Sequence, residues 1–205
     1  MALPCDEYPV ASRVRREGRG PITAPPVSPD DLDLMRRIAA GDRDAHRQIY
    51  ERHGRGVLSF LMGRLGDRSA AEEILQEVML AVWQGAGEFR GDSSVRTWLL
   101  AIALKRAHSR MRRLGRERAL APSDVVSRNG TSSRLNGADV RIDLHTALHR
   151  LPDGQRAAVE LLFFHGLTVE EAGQALGIAP GTVKSRIHRA KAALRAWLDT
   201  EASHV

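Results

Sequence analysis

The chain has 205 residues, of which 42% are hydrophobic and only 4% aromatic, and its formal charge is +6. That length suits two compact domains of roughly 80 residues each, and with so few aromatics their cores must be built from Leu, Ala, Val and Ile, which favours helices over sheets. The single cysteine, Cys5, excludes a disulfide framework or a cysteine-rich metal site. With no apolar run of about 18 residues and no secretory signal, a cytoplasmic protein without membrane insertion is expected.

Residues 1–29 mix Arg, Gly and Pro without apolar periodicity and read as a disordered tail, in which Arg13, Arg15, Arg16 and Arg19 have no assigned contact. Order is expected from Asp30 or Asp31, where acids precede Leu34, Met35 and Ile38 at helical spacing and Gly41 ends the helix. Asp42 opens a helix carrying Ala45, Ile49 and Tyr50 on one face, and a further stripe of Val57, Leu58, Leu61, Met62 and Leu65 follows Gly54 and Gly56. Ser69 and Glu72 have the spacing of a capping box. Behind them Ile74, Val78, Ala81 and Val82 point one way, while Glu73, Gln76, Glu77 and Gln84 decorate other faces.

Glycines 85, 87 and 91 then break the chain, and Asp92 or Ser93 is placed to cap a long helix through Val95, Trp98, Leu99, Ile102 and Ala103. That helix runs into a basic stretch of Lys105, Arg106, Arg110, Arg112, Arg113, Arg116 and Arg118, opposed by Glu117 alone. Clustered cations of this kind suit an anionic polymer, although a solvated helix face has the same composition. The first domain is therefore 30–114. Residues 115–138, rich in Ser, Asn, Gly and Thr, read as a flexible linker, and 139–205 form a second helical domain. In it Ile142, Leu144, Ala147, Leu148 and Leu151 make one stripe, Pro152 starts a helix, and Val159, Leu162 and Phe163 continue the core to Gly166.

Residues 168–198 have the punctuation of a helix-turn-helix. Thr168 and Glu171 form a capping box, Ala172 and Leu176 face inward, Gly177 supplies the turn, Ile178 plugs it, and Pro180 suits a first helical turn. Val183, Ile187, Ala190, Leu194 and Trp197 recur as the buried face of the second helix, opposite Lys184, Ser185, His188 and Arg189. Such a helix enters the major groove, where Arg or Lys donates to guanine and Ser adapts to several bases. Thr182, near the helix start, is placed for a phosphate.

The order of four segments, "AAGDRDAHRQIYERH", "LGDRSAAEEILQEVMLAVW", "FRGDSSVRTWLLAIA" and "LTVEEAGQALGIAPGTVKSRIHRAKAAL", resembles the extracytoplasmic function (ECF) sigma factors, over residues 31–114 and 139–198. The resemblance implies an all-α chain of two small domains, sigma region 2 and sigma region 4, that binds core RNA polymerase, directs it to promoter DNA and assists opening, with no catalysis and no cofactor of its own. By that resemblance Glu73, Gln76 and Glu77 bind the clamp helices of the polymerase's largest subunit, although a solvated acidic face would look the same. The 91–97 loop, with Ser93, Ser94 and Arg96, meets the melted minus-ten element, and Lys105, Arg106, Arg110 and Arg113 hold phosphates beside it. Trp98 shares a stripe with Ile102 and is assigned to the core rather than to base stacking. Thr182, Lys184, Ser185, Arg186, His188 and Arg189 meet the minus-thirty-five element. A dedicated anti-sigma protein is the further partner implied.

"AIALKRAHSR" departs from a common "RIARNxxxDxxR" pattern, with Leu104, Lys105 and Ser109 in place of Arg, Asn and Asp, which leaves minus-ten preference open. Two other classes remain for comparison. A conventional regulator explains 168–198 equally well but not the basic helix and acidic face of the N-terminal half. An enzyme would need a site. His145 and His149 have an i, i+4 metal spacing, yet no glutamate lies between them as in a zincin and no third ligand is evident.

Overall fold

The computed structural model describes residues 29–120 and 144–202. The order is α1 (Pro29–Ala39), α2 (Arg43–Leu65), α3 (Arg68–Gly85), a short 3-10 turn (Ala86–Glu88), α4 (Val95–Leu120), α5 (Leu144–His149), α6 (Asp153–Val159), a π-helical turn (Glu160–Phe164), α7 (Val169–Leu176) and α8 (Pro180–Ala202). Every element among the described residues is helical. Residues 1–28 and 121–143, which hold most of the segments read as tail and linker, lie outside the description; α4 itself continues past residue 114 to Leu120.

Helix boundaries follow local chemistry. Asp42 caps α2, its carboxylate accepting from Asp44 N and Ala45 N at 2.8 and 3.1 Å, which satisfies donors that a helix start leaves unpaired. The α2 helix then runs unbroken through Gly54 and Gly56, so the two stripes inferred from sequence belong to one element. Tyr50, expected on the buried face, is half exposed; its ring lies over Gly54, where a Cβ would come within 3.3 Å of it.

The start of α3 also differs from expectation. Asp67, not Ser69, is the N-cap and accepts from Ser69 N, while Glu72 pairs with Arg68 one turn away. A carboxylate two residues earlier reaches the same exposed amides, so the serine is not needed. At α4 it is Ser94, whose Oγ accepts from Thr97 N at 3.1 Å, that caps the helix rather than Asp92 or Ser93.

The N-terminal bundle is held by Leu34, Met35 and Ile38 of α1, Ile49, Val57, Phe60 and Leu61 of α2, Ile74, Val78 and Val82 of α3, and Leu99, Leu100 and Ala103 of α4, all buried. Trp98 is 8% exposed and packs on Phe89 at a centroid separation of 5.4 Å, which places it in the core as expected. Each such side chain contributes about 1.5–3 kcal/mol by leaving water.

In the C-terminal bundle Leu161 is fully buried but Phe163 and Phe164 are 59% and 52% exposed. Phe163 was expected to be core. The π turn over 160–164 inserts an extra residue per turn and rotates the two rings outward, where Lys191 Nζ lies 5.5 Å from the Phe163 centroid.

The two bundles share one apolar cluster, with α7 packed along α4. A chain of polar contacts accompanies it. Arg64 of α2, its side chain wholly buried, donates to Glu160 at 2.8 Å and pairs with Asp153, which also pairs with His108 of α4. Arg156 donates to Glu160 at 2.8 Å and to the carbonyl oxygens of Gly63 and Arg64 at 2.7 and 3.0 Å. Phe60 meets His165 edge to face at 5.2 Å.

Candidate nucleic-acid interface

The helix-turn-helix is built as its sequence signals require. Thr168 and Glu171 form a reciprocal capping box at α7, with Glu171 N donating to Thr168 Oγ1 at 3.2 Å and Thr168 N to Glu171 Oε2 at 2.8 Å. Gly177 ends α7 at φ +66, a left-handed conformation that costs a glycine nothing. Gly173 lets the turn close: a Cβ there would lie 2.9 Å from Ile178 O, and Ile178 N donates back to Gly173 O at 2.9 Å.

This turn sets α8 with Val183, Ile187 and Ala190 inward. Thr182, Lys184, His188 and Arg189 are exposed and Ser185 is half-buried, its hydroxyl donating to Thr182 O at 2.9 Å. Arg186 departs from the group. It is half-buried and lies over Gly154 of α6, so close that a Cβ at 154 would meet its Nη1 at 2.9 Å. Trp197 sits under Arg150, whose guanidinium carbon is 5.2 Å from the ring centroid.

On the N-terminal bundle, the basic face of α4 and the acidic face of α3 line a single shallow groove with Glu73, Glu77, Lys105, Arg106, Arg110 and Arg113 among its walls. Arg106 pairs with Glu77 at 3.1 Å and Arg110 with Glu73 at 3.4 Å. The residues implied for polymerase and those implied for DNA are therefore each other's neighbours. Gln76 is exposed beside them, as are Lys105 and Ser109, whereas Leu104 is buried. Arg96 is exposed at the start of α4.

The 91–97 loop is partly covered by α7. Glu171 Oε1 accepts from Ser94 Oγ at 3.4 Å and from Thr97 Oγ1 at 3.2 Å, and Gln174 Nε2 donates to Asp92 O at 3.2 Å. Thr97 is buried and Ser93 and Ser94 half-buried.

Sequence reasoning missed the cross-bundle cluster of Arg64, His108, Asp153, Arg156 and Glu160. One signal was available: Arg64 continues the stripe of Val57, Phe60 and Leu61, where a charge is out of place. The Asp153 carboxyl is lowered to about 2, chiefly by its hydrogen bond with His108, with Arg64 adding to the effect against the cost of burial. Burial pushes His53 and His165 below the ordinary histidine range, and the positive charge of Arg96 adds to both shifts. His149 approaches Arg156 through Nδ1 at 2.8 Å, and among the described residues no group of three His, Cys, Asp or Glu is placed to hold a metal.

Two helical bundles, one ending in a helix-turn-helix with a basic outer face and the other pairing a basic with an acidic helix, define a DNA-directed protein with a second, protein-directed surface. Comparison with known proteins is specific. Residues 49–117 match Sigma-70 region 2 and residues 141–194 match Sigma-70, region 4. The chain is 36% identical over 166 residues to ECF RNA polymerase sigma factor SigM of Mycobacterium tuberculosis, covering 80% of this chain and 82% of that one. It is also 36% identical over 190 residues to SigK of Mycobacterium ulcerans, covering 87% and 99%.

Among solved structures, CnrH in complex with the cytosolic domain of CnrY shares the fold, with a TM-score of 0.63 at 24% identity over 83% of this chain and 98% of that one. The sigma factor RpoE in complex with the anti-sigma factor NepR from Bartonella quintana gives 0.59 at 26% identity over 75% and 96%. The chain belongs to the ECF RNA polymerase sigma factors, a family of transcription regulators.

Proposed function

We propose that this sigma factor joins core RNA polymerase through Glu73, Gln76 and Glu77, reads the minus-thirty-five element with α8, and captures the melted minus-ten element with the 91–97 loop and the basic face of α4. The observation that carries the reading is α8: Val183, Ile187 and Ala190 are buried while Lys184, His188 and Arg189 are exposed on a turn that only the Gly173 and Gly177 geometry permits.

The chemistry of each surface fits its role. Lys184 and Arg189 supply donors for guanine edges, and Thr182 lies where the amides at a helix start favour a phosphate. Carboxylates on an exposed helix suit a basic partner surface. Ser93, Ser94 and Arg96 offer donors to an unstacked strand, and Lys105, Arg106, Arg110 and Arg113 neutralise its backbone, a salt-dependent contribution. Holding the single strand lowers its free energy relative to duplex, so opening needs no nucleotide hydrolysis by this chain. The factor acts in the cytoplasm as a non-catalytic adaptor without a cofactor, as regions 30–114 and 139–205 engaging two elements at once. An anti-sigma protein is a further partner, a reading supported by the RpoE and NepR complex. No helix among the described residues is long and apolar enough to cross a membrane.

Separation of function tests the assignment. Glu77→Arg is expected to abolish co-purification with core polymerase. Lys184→Ala is expected to keep it and to lose protection of the upstream element in footprints of the complex. Loss of core binding by Lys184→Ala, or its retention by Glu77→Arg, would refute it.

A further inference from the structure

We propose that the free factor holds itself closed, with α7 seated on the minus-ten loop and Glu171 occupying the place of a DNA phosphate there, and that the ion cluster around Arg64 is the latch. The inference deepens the assignment of regions given above and rests on it.

Two of the three polar contacts at the loop are made by a carboxylate. Glu171 takes hydrogen bonds from Ser94 and Thr97, hydroxyls that an approaching strand would otherwise reach, and Gln174 takes up the Asp92 carbonyl. An anionic oxygen against serine and threonine hydroxyls is the contact that a backbone phosphate makes. Closure also draws Arg186 of the recognition helix over Gly154.

The closed form cannot be the promoter-bound one. Elements centred near minus ten and minus thirty-five stand about 25 base pairs apart, or about 85 Å along the duplex at about 3.4 Å per pair. Glu171 touches Ser94, and Lys184 lies thirteen residues along the chain from Glu171, which bounds their separation at about 45 Å even if fully extended. The bundles must part. The 23 residues between Leu120 and Leu144 can span about 80 Å, so the covalent chain permits it.

The cluster that holds them is suited to release. Arg64 is anchored in the N-terminal bundle with its side chain wholly buried, and both its carboxylate partners, Asp153 and Glu160, come from the other bundle. Buried ion pairs gain little net stability over apolar packing because desolvation opposes the attraction, and Arg64 Nε has no hydrogen-bond partner. Such an interface is specific in register and inexpensive to open. Once parted, Arg64 recovers water and Glu160 keeps Arg156.

The test uses the full chain with Cys5→Ser and dyes on Arg47→Cys and Ala193→Cys, exposed positions on α2 and α8. High energy transfer is expected in this parent. Asp153→Arg, which sets a cation against Arg64 and His108, should lower the transfer and tighten binding of dye-labelled single-stranded DNA of mixed sequence about tenfold, as the competent fraction rises. If that variant loses helicity, Asp153→Asn carries the same test with a smaller change in the same direction. Low transfer in the parent, or an opened variant whose DNA affinity is unchanged, overturns the proposal. Start-site formation with core polymerase is scored separately: its absence for the parent overturns the assignment of regions, whichever way the transfer falls.

Discussion

Alanine at Gly173 and alanine at Gly181 should act in opposite directions, although both glycines lie in the helix-turn-helix and both changes add one methyl group. At Gly173 the new Cβ would lie 2.9 Å from Ile178 O, 3.6 Å from Pro180 N and 3.8 Å from Pro180 Cα. These are backbone atoms of the turn and cannot swing aside as a side chain does. Forcing them apart costs about 2–3 kcal/mol, offset by about 1 kcal/mol of helix propensity, for a net loss of about 1–2 kcal/mol. At Gly181 nothing lies within 4 Å of the added carbon, so only the propensity gain of up to about 1 kcal/mol remains. Thermal unfolding followed by circular dichroism at 222 nm (about the usual helix wavelength) would show Gly173→Ala lowered by roughly 3–8 °C and Gly181→Ala unchanged or raised. Equal midpoints for the two variants would refute the close-approach argument. So would a Gly173→Ala protein more stable than the parent.

Arg64→Ala should destabilise by about 3 kcal/mol or more in urea, because it leaves buried carboxylate oxygens unpaired, and Arg64→Met by distinctly less, since it refills the volume; a loss within about 0.5 kcal/mol, as for an exposed arginine, would contradict the burial of this side chain. Acidification should weaken the fold through His53 and His165. Burial holds both below their ordinary value of 6.5, so between that value and their folded ones the unfolded chain binds more protons and stability falls as pH falls. The urea midpoint should therefore drop from about pH 7 to about pH 5.5, and His165→Gln should flatten that slope. Asp153 behaves differently: its carboxyl lies at about 2 rather than 3.8, so its contribution is complete above 3.8 and is lost only as pH falls towards 2. Energy transfer between the labelled bundles should accordingly survive mild acid as far as Asp153 controls it.

The parts of this molecule that were legible in its sequence are those whose causes are local. Gly177, Pro180 and the Thr168 and Glu171 box punctuate a turn by their own backbone and capping chemistry, so the helix-turn-helix and its exposed face could be read directly. The apolar stripes of α1, α3 and α4 likewise follow from period alone. Tyr50 and Phe163 sit at core spacing yet face outward, the first because the neighbouring Gly54 gives its ring a surface to lie on, the second because a π turn shifts the period within five residues. The pairing of Arg64 with Asp153 and Glu160 joins positions about ninety residues apart, and nothing in the pattern around α6 announces it. The same holds for Glu171, whose one carboxylate serves a local cap through Oε2 and a distant loop through Oε1; sequence shows only the first of these.

The most direct measurement is reconstituted run-off transcription on fragmented genomic DNA, with sigma-free bacterial core polymerase and the purified full chain present or omitted. The account predicts discrete start sites that require the chain and vanish with Glu77→Arg. A chain that binds DNA by itself but neither joins core polymerase nor creates any start site would contradict it.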